Sequence, residues 1–506
     1  MTPQQPQPRG SRRNDKGRQR NRGGTRHYSE SAPAARKRTA DPARRVAFEV
    51  LRAVAEDDAY ANLVLPTRLR RARLGARDAA FATELAYGAL RGQGTYDAVL
   101  SRCVDRPLSR LDAAVLDALR LGAHQLLAMR VPHHAALDET VALTRAEIGA
   151  GASGLVNAVL RKVAAHSLSE WVATLTADLQ DETAAAAIEH SHPEWVVRAL
   201  RQSLAAHGRD VAEIGSLLAA DNAAPRVNLV ALPGLGDLAA LCAAGAEVSS
   251  LAPDAATYDG GDPGRLPGLA EGRVRVQDAG SQLVARALAG APLAGPDERW
   301  LDLCAGPGGK AALLAALASQ RGAHLEANEV AEHRARLVSQ ALAGVDPHAF
   351  SVVTGDGRRY AGSAGGYDRI MLDAPCSGLG ALRRRPESRW RKSPGDIAEL
   401  TQLQSELFDA AVAALRPGGV LAYVTCSPHP AETTAVVLDA LARHPRLRAL
   451  DAEAALDAVA LTPTNAGAQV PDKRGAPLEG ARTAQLWPHQ HGTDAMFMAL
   501  LTLEAE

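Results

Sequence analysis

Apolar residues recur with a helical period from about residue 41 onward. In the segment ARRVAFEVLRAV, Val46, Val50, Leu51 and Val54 are spaced three and four residues apart, which places them on one face of a helix. The same period recurs in three further segments, at residues 81–92, 111–129 and 152–166. Strand-like alternation is absent through about residue 166. The pattern therefore predicts an all-helical domain over residues 41–170.

The pattern changes twice after this helical domain. Residues 171–225 keep a helical period and are predicted to form a connector, whereas residues 226–285 mix short strand-like and helical stretches, which predicts a small mixed α/β subdomain. From residue 298, strand patterns alternate with helical ones: WLDLC, HLEANEV, FSVVTGDGR, YDRIMLDAPC and GVLAYVTCS. Strands that alternate with helices predict a parallel α/β sheet, in a domain that spans residues 286–506.

Charge is distributed unevenly, although the formal net charge of the 506 residues is zero. Residues 1–40 hold 11 Lys or Arg and two acidic residues, which leaves a net charge of −9 on the rest of the chain. A tail this basic and rich in Gly, Pro, Gln and Ser cannot bury enough apolar surface to fold, so we expect it to be disordered. Its cations would neutralise phosphates, which makes nucleic acid a natural partner; a solubilising tail without a partner is the alternative.

The five cysteines are widely spaced and form no Cys-x-x-Cys pair. This spacing argues against a disulfide framework and against a structural zinc site, and we predict no metal. No apolar run approaches the roughly 18 residues that a membrane-spanning helix needs, so we predict no membrane partner. The basic start lacks the apolar stretch of a secretory signal, and we therefore expect a cytoplasmic protein.

A glycine-rich turn separates the first strand of the α/β domain from an apolar helix. The strand pattern is predicted to include Cys304, and the turn runs from Ala305 to Lys310; such a turn lets a ligand approach backbone N–H groups at the positive end of the helix. A Walker A loop would need Gly where Cys304 stands and Ser or Thr where Ala311 stands, and a dinucleotide-binding loop would need Gly in place of Ala311. Both are excluded, while a tight turn without a ligand stays open.

Acidic residues stand at the predicted ends of the next three strands. Glu329 ends the second strand, Asp356 the third and Asp373 the fourth. The carboxyl ends of parallel strands line the crevice where open α/β sheets bind ligands, and a carboxylate there can accept hydrogen bonds from ribose hydroxyls. An adenosyl-sulfonium cofactor fits this acidic rim better than a diphosphate, whose charge the acids would repel.

Two cysteines, Cys376 and Cys426, lie at the same predicted rim. Cytosine C5 is a poor nucleophile, but a thiolate that adds to C6 makes C5 able to attack a sulfonium methyl group. An acid near N3 assists that addition, for which Asp373 is the candidate, and a base must later remove the C5 proton. A free thiol has a pKa of about 8.5, so the nucleophile needs local activation. The alternative is that both cysteines are small buried hydrophobic residues.

An ordered set of motifs in the α/β domain resembles the RNA cytosine-C5 methyltransferase superfamily: LCAGPGGK, ANEV, GDGR, LDAPCSGLGALRRRPESRWR and YVTCS. In the helical domain, ELAYGALR, LRLGAHQLL, VPHHAALDETVALTR and GLVNAVLRKV resemble the NusB family of RNA-binding domains. Together they resemble the bacterial small-subunit ribosomal RNA methyltransferase group over residues 41–506. The resemblance implies a helical NusB-like domain followed by a Rossmann-like methyltransferase domain, with S-adenosylmethionine as cofactor and ribosomal RNA as partner.

The resemblance also implies roles for individual residues. Cys426, in the Thr-Cys motif, would attack C6, and Cys376, in the Pro-Cys motif, would assist release. DNA cytosine methyltransferases use the Pro-Cys cysteine as nucleophile, so the second cysteine favours RNA. Glu329 stands where the family usually has Asp, and its longer side chain should still reach the ribose. The implied cofactor contacts are Cys304, Ala305, Gly306, Pro307, Gly308, Gly309, Lys310, Glu329, Asp356 and Asp373.

A basic run with one aromatic residue follows the Pro-Cys motif, and we predict that it contacts RNA. Cations there could hold phosphates and Trp390 could stack on a base, whereas a solvated charged face is the alternative. The run comprises Arg383, Arg384, Arg385, Arg389, Trp390 and Arg391. The target cytosine must leave any duplex stack to reach Cys426, which implies a single-stranded or flipped base.

Three functions are compatible with these observations. The first is methylation of C5 of a cytosine in small-subunit ribosomal RNA, and the second is the same chemistry on tRNA or another RNA. The NusB-like domain favours the first only through the resemblance. The third is a non-catalytic NusB-like RNA-binding factor, which would leave the cysteine pair and the acidic rim unexplained.

Overall fold

The computed structural model describes residues 40–362, 366–471 and 476–505. The basic tail predicted over residues 1–40 lies, except for Ala40, outside the described residues. Within the described part of the chain, no helix has the length and apolarity required to cross a membrane.

From Pro42 the described chain forms eleven α-helices, and it contains no strand before residue 227. Asp41 caps the first of them by accepting a hydrogen bond from the Arg44 backbone N–H at 2.9 Å, and Pro42 occupies the first turn, where its missing N–H costs nothing. The helices are α1 (Pro42–Glu56), α2 (Ala61–Ala72), α3 (Ala76–Arg91), α4 (Gln93–Cys103), α5 (Ala113–Leu127), α6 (His133–Glu147), α7 (Ala150–Val163), α8 (Leu168–Thr176), α9 (Glu182–Glu189), α10 (Glu194–Ala206) and α11 (Ile214–Asn222).

The all-helical prediction for this region is confirmed. Val46, Val50 and Leu51 of α1 are buried in one core with residues of α2, α3 and α5, as their spacing requires. The predicted division between helical domain and connector, at residue 170, passes through α8.

A small antiparallel sheet follows, with the strand order β2-β3-β1-β4. Its elements are β1 (Val227–Ala231), α12 (Leu238–Ala243), β2 (Glu247–Val248), β3 (Ala255–Tyr258) and β4 (Val274–Val276). The next helix, α13 (Ala279–Gly290), packs into the core of the following domain, so the predicted boundary at residue 285 lies inside one continuous helix.

The remaining chain forms a nine-stranded mixed sheet with helices. The elements are β5 (Arg299–Asp302), α14 (Gly309–Gln320), β6 (His324–Glu329), α15 (Glu332–Ala341), β7 (Phe350–Thr354), β8 (Tyr367–Asp373), α16 (Ser388–Arg391), α17 (Pro394–Ala414), β9 (Leu415–Thr425), α18 (Thr434–Arg443), β10 (Leu447–Ala449), α19 (Ala452–Asp457), β11 (Gly467–Pro471), β12 (Pro477–Gln485), α20 (Pro488–His491) and β13 (Phe497–Leu503).

Five parallel strands form the part of the sheet that positions the functional residues. Their order is β7-β6-β5-β8-β9, and β13 extends the sheet as an antiparallel neighbour of β9. The chain order reverses at β5, and the crevice for ligands is expected at the carboxyl ends of β5 and β8. The predicted Rossmann-like architecture is confirmed. Two expectations need correction: β5 ends at Asp302, so Cys304 lies in the loop beyond it, and Asp356 lies two residues after the end of β7.

Candidate active site

The glycine loop after β5 is shaped by close approaches that exclude side chains. A Cβ added at Gly306 would stand 2.0 Å from Oε2 of Glu329. Gly308 has a φ of +107°, and a Cβ there would stand 2.5 Å from the Cβ of Ala341 in α15. Glycine is therefore required at both positions, and the loop brings its backbone to the start of α14.

Glu329, at the end of β6, holds this loop in place. It is 3 % exposed, its Oε2 accepts the Gly306 N–H at 3.1 Å, and its Oε1 accepts the Ala331 N–H at 3.0 Å. The guanidinium of Arg334 lies 3.5 Å from Oε2 and donates to the Gly306 carbonyl oxygen at 2.6 Å. Each carboxylate oxygen accepts one backbone N–H and has a second lone pair, which is compatible with the predicted contact with a ribose hydroxyl. That contact stays a prediction.

Asp302 is a candidate functional residue that sequence reasoning missed. It is the last residue of β5 and fully buried, and no side chain in the described residues donates a hydrogen bond to its carboxylate. Burial, together with the nearby charge of Asp373, raises the pKa of Asp302 to about 8. The signal in the sequence that could have identified it is its position directly before Leu303 and Cys304, which lead into the glycine loop. A buried carboxyl group without a side-chain hydrogen-bond partner among the described residues therefore stands at the end of β5, shortly before the predicted cofactor loop.

Lys310 connects the glycine loop to the end of β8. Its Nζ lies 2.8 Å from Oδ2 of Asp373, and both side chains are partly buried. Burial alone would lower the pKa of Lys310, but the ion pair with Asp373 outweighs it and the pKa is raised. The ammonium therefore stays charged beside the crevice.

The structure brings Cys376 and Cys426 together, although 50 residues separate them in the sequence. Their Sγ atoms are 3.5 Å apart at the ends of the adjacent strands β8 and β9, and both side chains are half-buried. The hydrogen bond with Cys376, helped by the positive charges of Lys310 and Arg385, lowers the pKa of Cys426. The same hydrogen bond, together with burial, raises the pKa of Cys376. One thiol is thus prepared to ionise, and the other to remain protonated.

Asp356 lies at the rim with an arginine partner. Its carboxylate accepts hydrogen bonds from the backbone N–H and the guanidinium of Arg358, which lower the pKa of Asp356 to about 2. It is partly exposed and ionised at neutral pH, which is compatible with the predicted cofactor contact but does not test it.

The residues present fit an adenosyl-sulfonium cofactor. The glycine loop leaves no room for a Cβ at Gly306, and the buried Asp302 ends the strand β5 that leads into this loop. Carboxylates at the ends of β6 and β8 would attract a sulfonium cation and an α-amino group but repel phosphates. In residues 40–362, 366–471 and 476–505, no group of three or more His, Cys, Asp or Glu side chains is arranged to hold a metal ion.

The basic run after the Pro-Cys motif is largely turned inward, contrary to the prediction. Arg383 is 6 % exposed and its guanidinium lies 3.1 Å from Oδ1 of Asp494. Arg384 bridges Asp278, at 2.7 Å, and Asp494, at 3.1 Å. These two arginines neutralise two buried acids, which a count of charges along the sequence cannot distinguish from an RNA-binding face.

Arg389 and Trp390 also have intramolecular partners. Arg389 is 0 % exposed, and its Nη1 donates to the carbonyl oxygen of Ser191 at 2.9 Å and to Oδ1 of Asn222 at 2.8 Å. The Trp390 ring lies against α4, since a Cβ at Gly94 would stand 2.6 Å from its Cη2 atom. The prediction that Arg389 contacts RNA is therefore wrong, because the side chain ties α16 to the helical connector.

Arg385 differs from its neighbours in being exposed. Arg391 donates to the carbonyl oxygens of Val54 and Ala59 at 2.9 and 2.7 Å, which fixes it to the helical domain. The guanidinium of Arg385 also lies over the Tyr60 ring, 4.9 Å from its centroid, but the residue is exposed. Within this basic run, Arg385 is the arginine whose exposure is most compatible with the predicted RNA contact.

The sequence matches two described families. Residues 41–165 match the NusB family, and residues 292–502 match the family described as 16S rRNA methyltransferase RsmB/F. A Mycobacterium tuberculosis protein named as a methyltransferase is 48% identical over 470 residues, which cover 92% of this chain and 97% of that protein. Ribosomal RNA small subunit methyltransferase B of Klebsiella pneumoniae is 35% identical over 420 residues, which cover 79% of this chain and 90% of that protein.

Solved structures share the fold. The crystal structure of the protein PH0851 aligns with a TM-score of 0.73 at 21% identity and covers 91% of this chain and 98% of that chain. A methyltransferase homologue from Pyrococcus horikoshii aligns with a TM-score of 0.50 at 20% identity, over 64% of this chain and all of that chain.

Proposed function

The chain belongs to the RsmB/F family of 16S rRNA methyltransferases with an N-terminal NusB region, and we propose that it methylates C5 of a cytosine in small-subunit ribosomal RNA, in the cytoplasm, through a covalent cysteine–C6 adduct. The observation that carries the proposal is the pair of thiols 3.5 Å apart beside the glycine loop, of which Cys426 has the lowered pKa.

S-adenosylmethionine is the family's cofactor, and when bound it supplies an electrophilic methyl group. The glycine loop from Cys304 to Lys310, together with Glu329 and Asp356, would hold it. Asp373 would complement its positive charge, and the carboxyl group of Asp302, largely protonated at neutral pH, would offer it a hydrogen bond.

Cys426 is the proposed nucleophile. Its thiolate forms an S–C6 bond to the cytosine. The electron pair of the C5–C6 double bond shifts toward C4 and N3, and a proton delivered to N3 neutralises the negative charge that develops there. The pair formed by the Lys310 ammonium and the Asp373 carboxylate holds such a proton at the crevice, with 2.8 Å between Nζ and Oδ2. The activated C5 would then form its bond to the methyl group as the bond between that methyl and the sulfonium sulfur breaks, and the sulfur would leave as a neutral thioether.

Cys376 is the proposed base for elimination. Its raised pKa is due first to its hydrogen bond with Cys426. Once Cys426 is a thioether it carries no charge, so that cause disappears and Cys376 can lose its proton to solvent. Its thiolate then takes the proton from C5, the electrons restore the C5–C6 double bond, and the S–C6 bond breaks.

The test is bisulfite sequencing of total RNA from a strain that lacks this gene and carries either the wild-type gene or its Cys426→Ala variant. The expected result is one cytosine in small-subunit RNA that is protected only with the wild-type gene. Protection of a tRNA cytosine would move the activity to another substrate. Equal protection in both strains, with RNA binding retained, would support a non-catalytic factor.

A further inference from the structure

A buried carboxylate that the proposed reaction does not use joins the two cysteine loops. Glu432 is 0 % exposed and lies shortly after β9. Its Oε1 accepts the backbone N–H of Ser377 at 2.7 Å, and its Oε2 accepts the hydroxyl of Ser427 at 2.7 Å. Ser377 directly follows Cys376, and Ser427 directly follows Cys426. One carboxylate therefore holds the residue next to each thiol.

Further contacts fix the orientation of this carboxylate. The hydroxyl of Ser377 lies 2.5 Å from Oε2 and 3.1 Å from the hydroxyl oxygen of Ser427. The amide of Gln404, from α17, reaches Oε1 at 3.3 Å, and the hydroxyl of Tyr423 donates to the Glu432 carbonyl oxygen at 2.8 Å. These partners are neutral, and burying a carboxylate among neutral groups costs free energy that packing alone does not explain.

We propose that Glu432 is a positioning residue, whose carboxylate fixes the two cysteine loops against each other so that Cys376 donates a hydrogen bond to Cys426 and Cys426 remains the nucleophile. The inference rests on the proposed function for its catalytic meaning, but the arrangement of the thiols belongs to the free protein.

The carboxylate also acts on the two thiols unequally. The pKa of Cys376 is raised first by its hydrogen bond to Cys426, then by burial and the charge of that thiol, and then by the negative charge of Glu432. The leading influences on the pKa of Cys426 are the Cys376 hydrogen bond, burial, Asp373, Lys310 and Arg385. The charge of Glu432 thus adds to the stronger effects that keep Cys376 protonated, while its carboxylate contacts both loops, and this supports the assignment of different roles to the two cysteines.

The test measures alkylation of the full-length protein by iodoacetamide over a range of pH, with peptide mass spectrometry reporting each cysteine separately. In the wild type, Cys426 should react at lower pH than Cys376. Glu432→Gln keeps the size of the side chain and removes its charge, so the midpoint for Cys376 should fall by about one pH unit, which is about tenfold faster alkylation below the midpoint. Glu432→Asp, which keeps the charge, should restore much of the difference.

Glu453→Gln is the matched control, because Glu453 contacts Gly467 and Arg482 rather than the cysteine loops. It should leave both midpoints unchanged. Cysteine midpoints in Glu432→Gln that stay within about 0.3 pH units of the wild type would overturn the inference.

A second variant covers the case in which Glu432→Gln does not fold. The double variant Ser377→Ala, Ser427→Ala keeps the carboxylate and removes two of its donors, so kcat should fall about tenfold while KM for RNA stays within about twofold. Wild-type kcat in this variant would overturn the positioning role. Because alkylation needs no RNA, changed midpoints without any methylated cytosine would refute the proposed function and leave the positioning of the thiols intact.

Discussion

The loops that follow β8 and β9 carry the same reactive group in different electrostatic settings. The hydrogen bond between the two thiols lowers the pKa of Cys426 and raises that of Cys376; the cations Lys310 and Arg385 add to the first effect, against Asp373, and the anion Glu432 adds to the second. Each loop begins at the carboxyl end of a parallel strand, and each cysteine is followed by serine. Hydrogen bonding and nearby charge therefore distinguish the two thiols, although each occupies the same kind of position on the sheet.

The two loops also differ in what fixes their downstream ends. The Cys426 loop leads into α18, within the sheet domain. The Cys376 loop leads into the segment 383–391, whose arginines bind backbone carbonyl groups of the helical domain and its connector. The NusB region is therefore attached directly to the loop that carries the proposed elimination base.

The largest expected effect separates the two cysteines. Cys426→Ala should reduce methylation to background and form no adduct, because the nucleophile is absent. Cys376→Ala should still allow addition and methyl transfer but stall release, so protein should stay joined to methylated RNA in a denaturing gel and be freed by RNase. A stable adduct from Cys426→Ala and none from Cys376→Ala would reverse the assignment.

Loss of the buried arginine should have the next largest effect and act through stability. Arg389→Ala removes a fully buried cation and leaves Asn222 and the carbonyl of Ser191 without their donor, at an expected cost of about 3–5 kcal/mol in the free energy of unfolding. Arg385→Gln, at an exposed position in the same run, should cost less than about 0.5 kcal/mol. Chemical denaturation of both variants measures these losses in the free energy of unfolding. Equal losses would contradict the assignment of Arg389 as a buried residue and of Arg385 as an exposed one.

Removing the positive charge of Lys310 should reduce the difference in pKa between Cys426 and Cys376. Lys310 lowers the pKa of Cys426, so the rate of adduct formation in the wild type rises with pH and levels off once that lowered pKa is passed. Lys310→Met should raise the pKa and move this rise upward by about one pH unit, a loss of about tenfold at a pH below the midpoint. The pH profile of adduct formation provides the measurement. A lower rate at every pH without displacement of the profile would assign Lys310 another role.

The smallest expected effect is that of Arg385, whose charge is exposed and therefore screened by salt. Arg385→Gln should shift the same pH profile by less than about half a unit and weaken RNA binding severalfold, with a shallower dependence of affinity on salt concentration. Arg336→Gln is the control, because Arg336 is exposed and paired with Glu332 on α15. An unchanged salt dependence in Arg385→Gln would remove Arg385 from the RNA-binding surface.

The sequence was a good guide where local pattern determines structure. Helical periodicity predicted the helical domain, because an amphipathic helix needs only residues within a few turns of one another. Alternating strand and helix patterns predicted the parallel sheet, and the glycine loop and the acids at strand ends were placed at one crevice. The errors at Cys304 and Asp356, which lie beyond their strands, reflect that hydrophobicity does not mark the last hydrogen bond of a strand.

The motifs by themselves determined the family, the type of cofactor and the two cysteines. The tertiary structure decided how those cysteines differ, because the charges that distinguish them come from distant parts of the chain: Lys310 from the glycine loop and Glu432 from beyond β9. It also decided that Arg389 is buried, through contacts with residues nearly 200 positions away. A side chain's charge can be read from the sequence, but the free energy of that charge depends on burial and partners, which only the folded chain supplies.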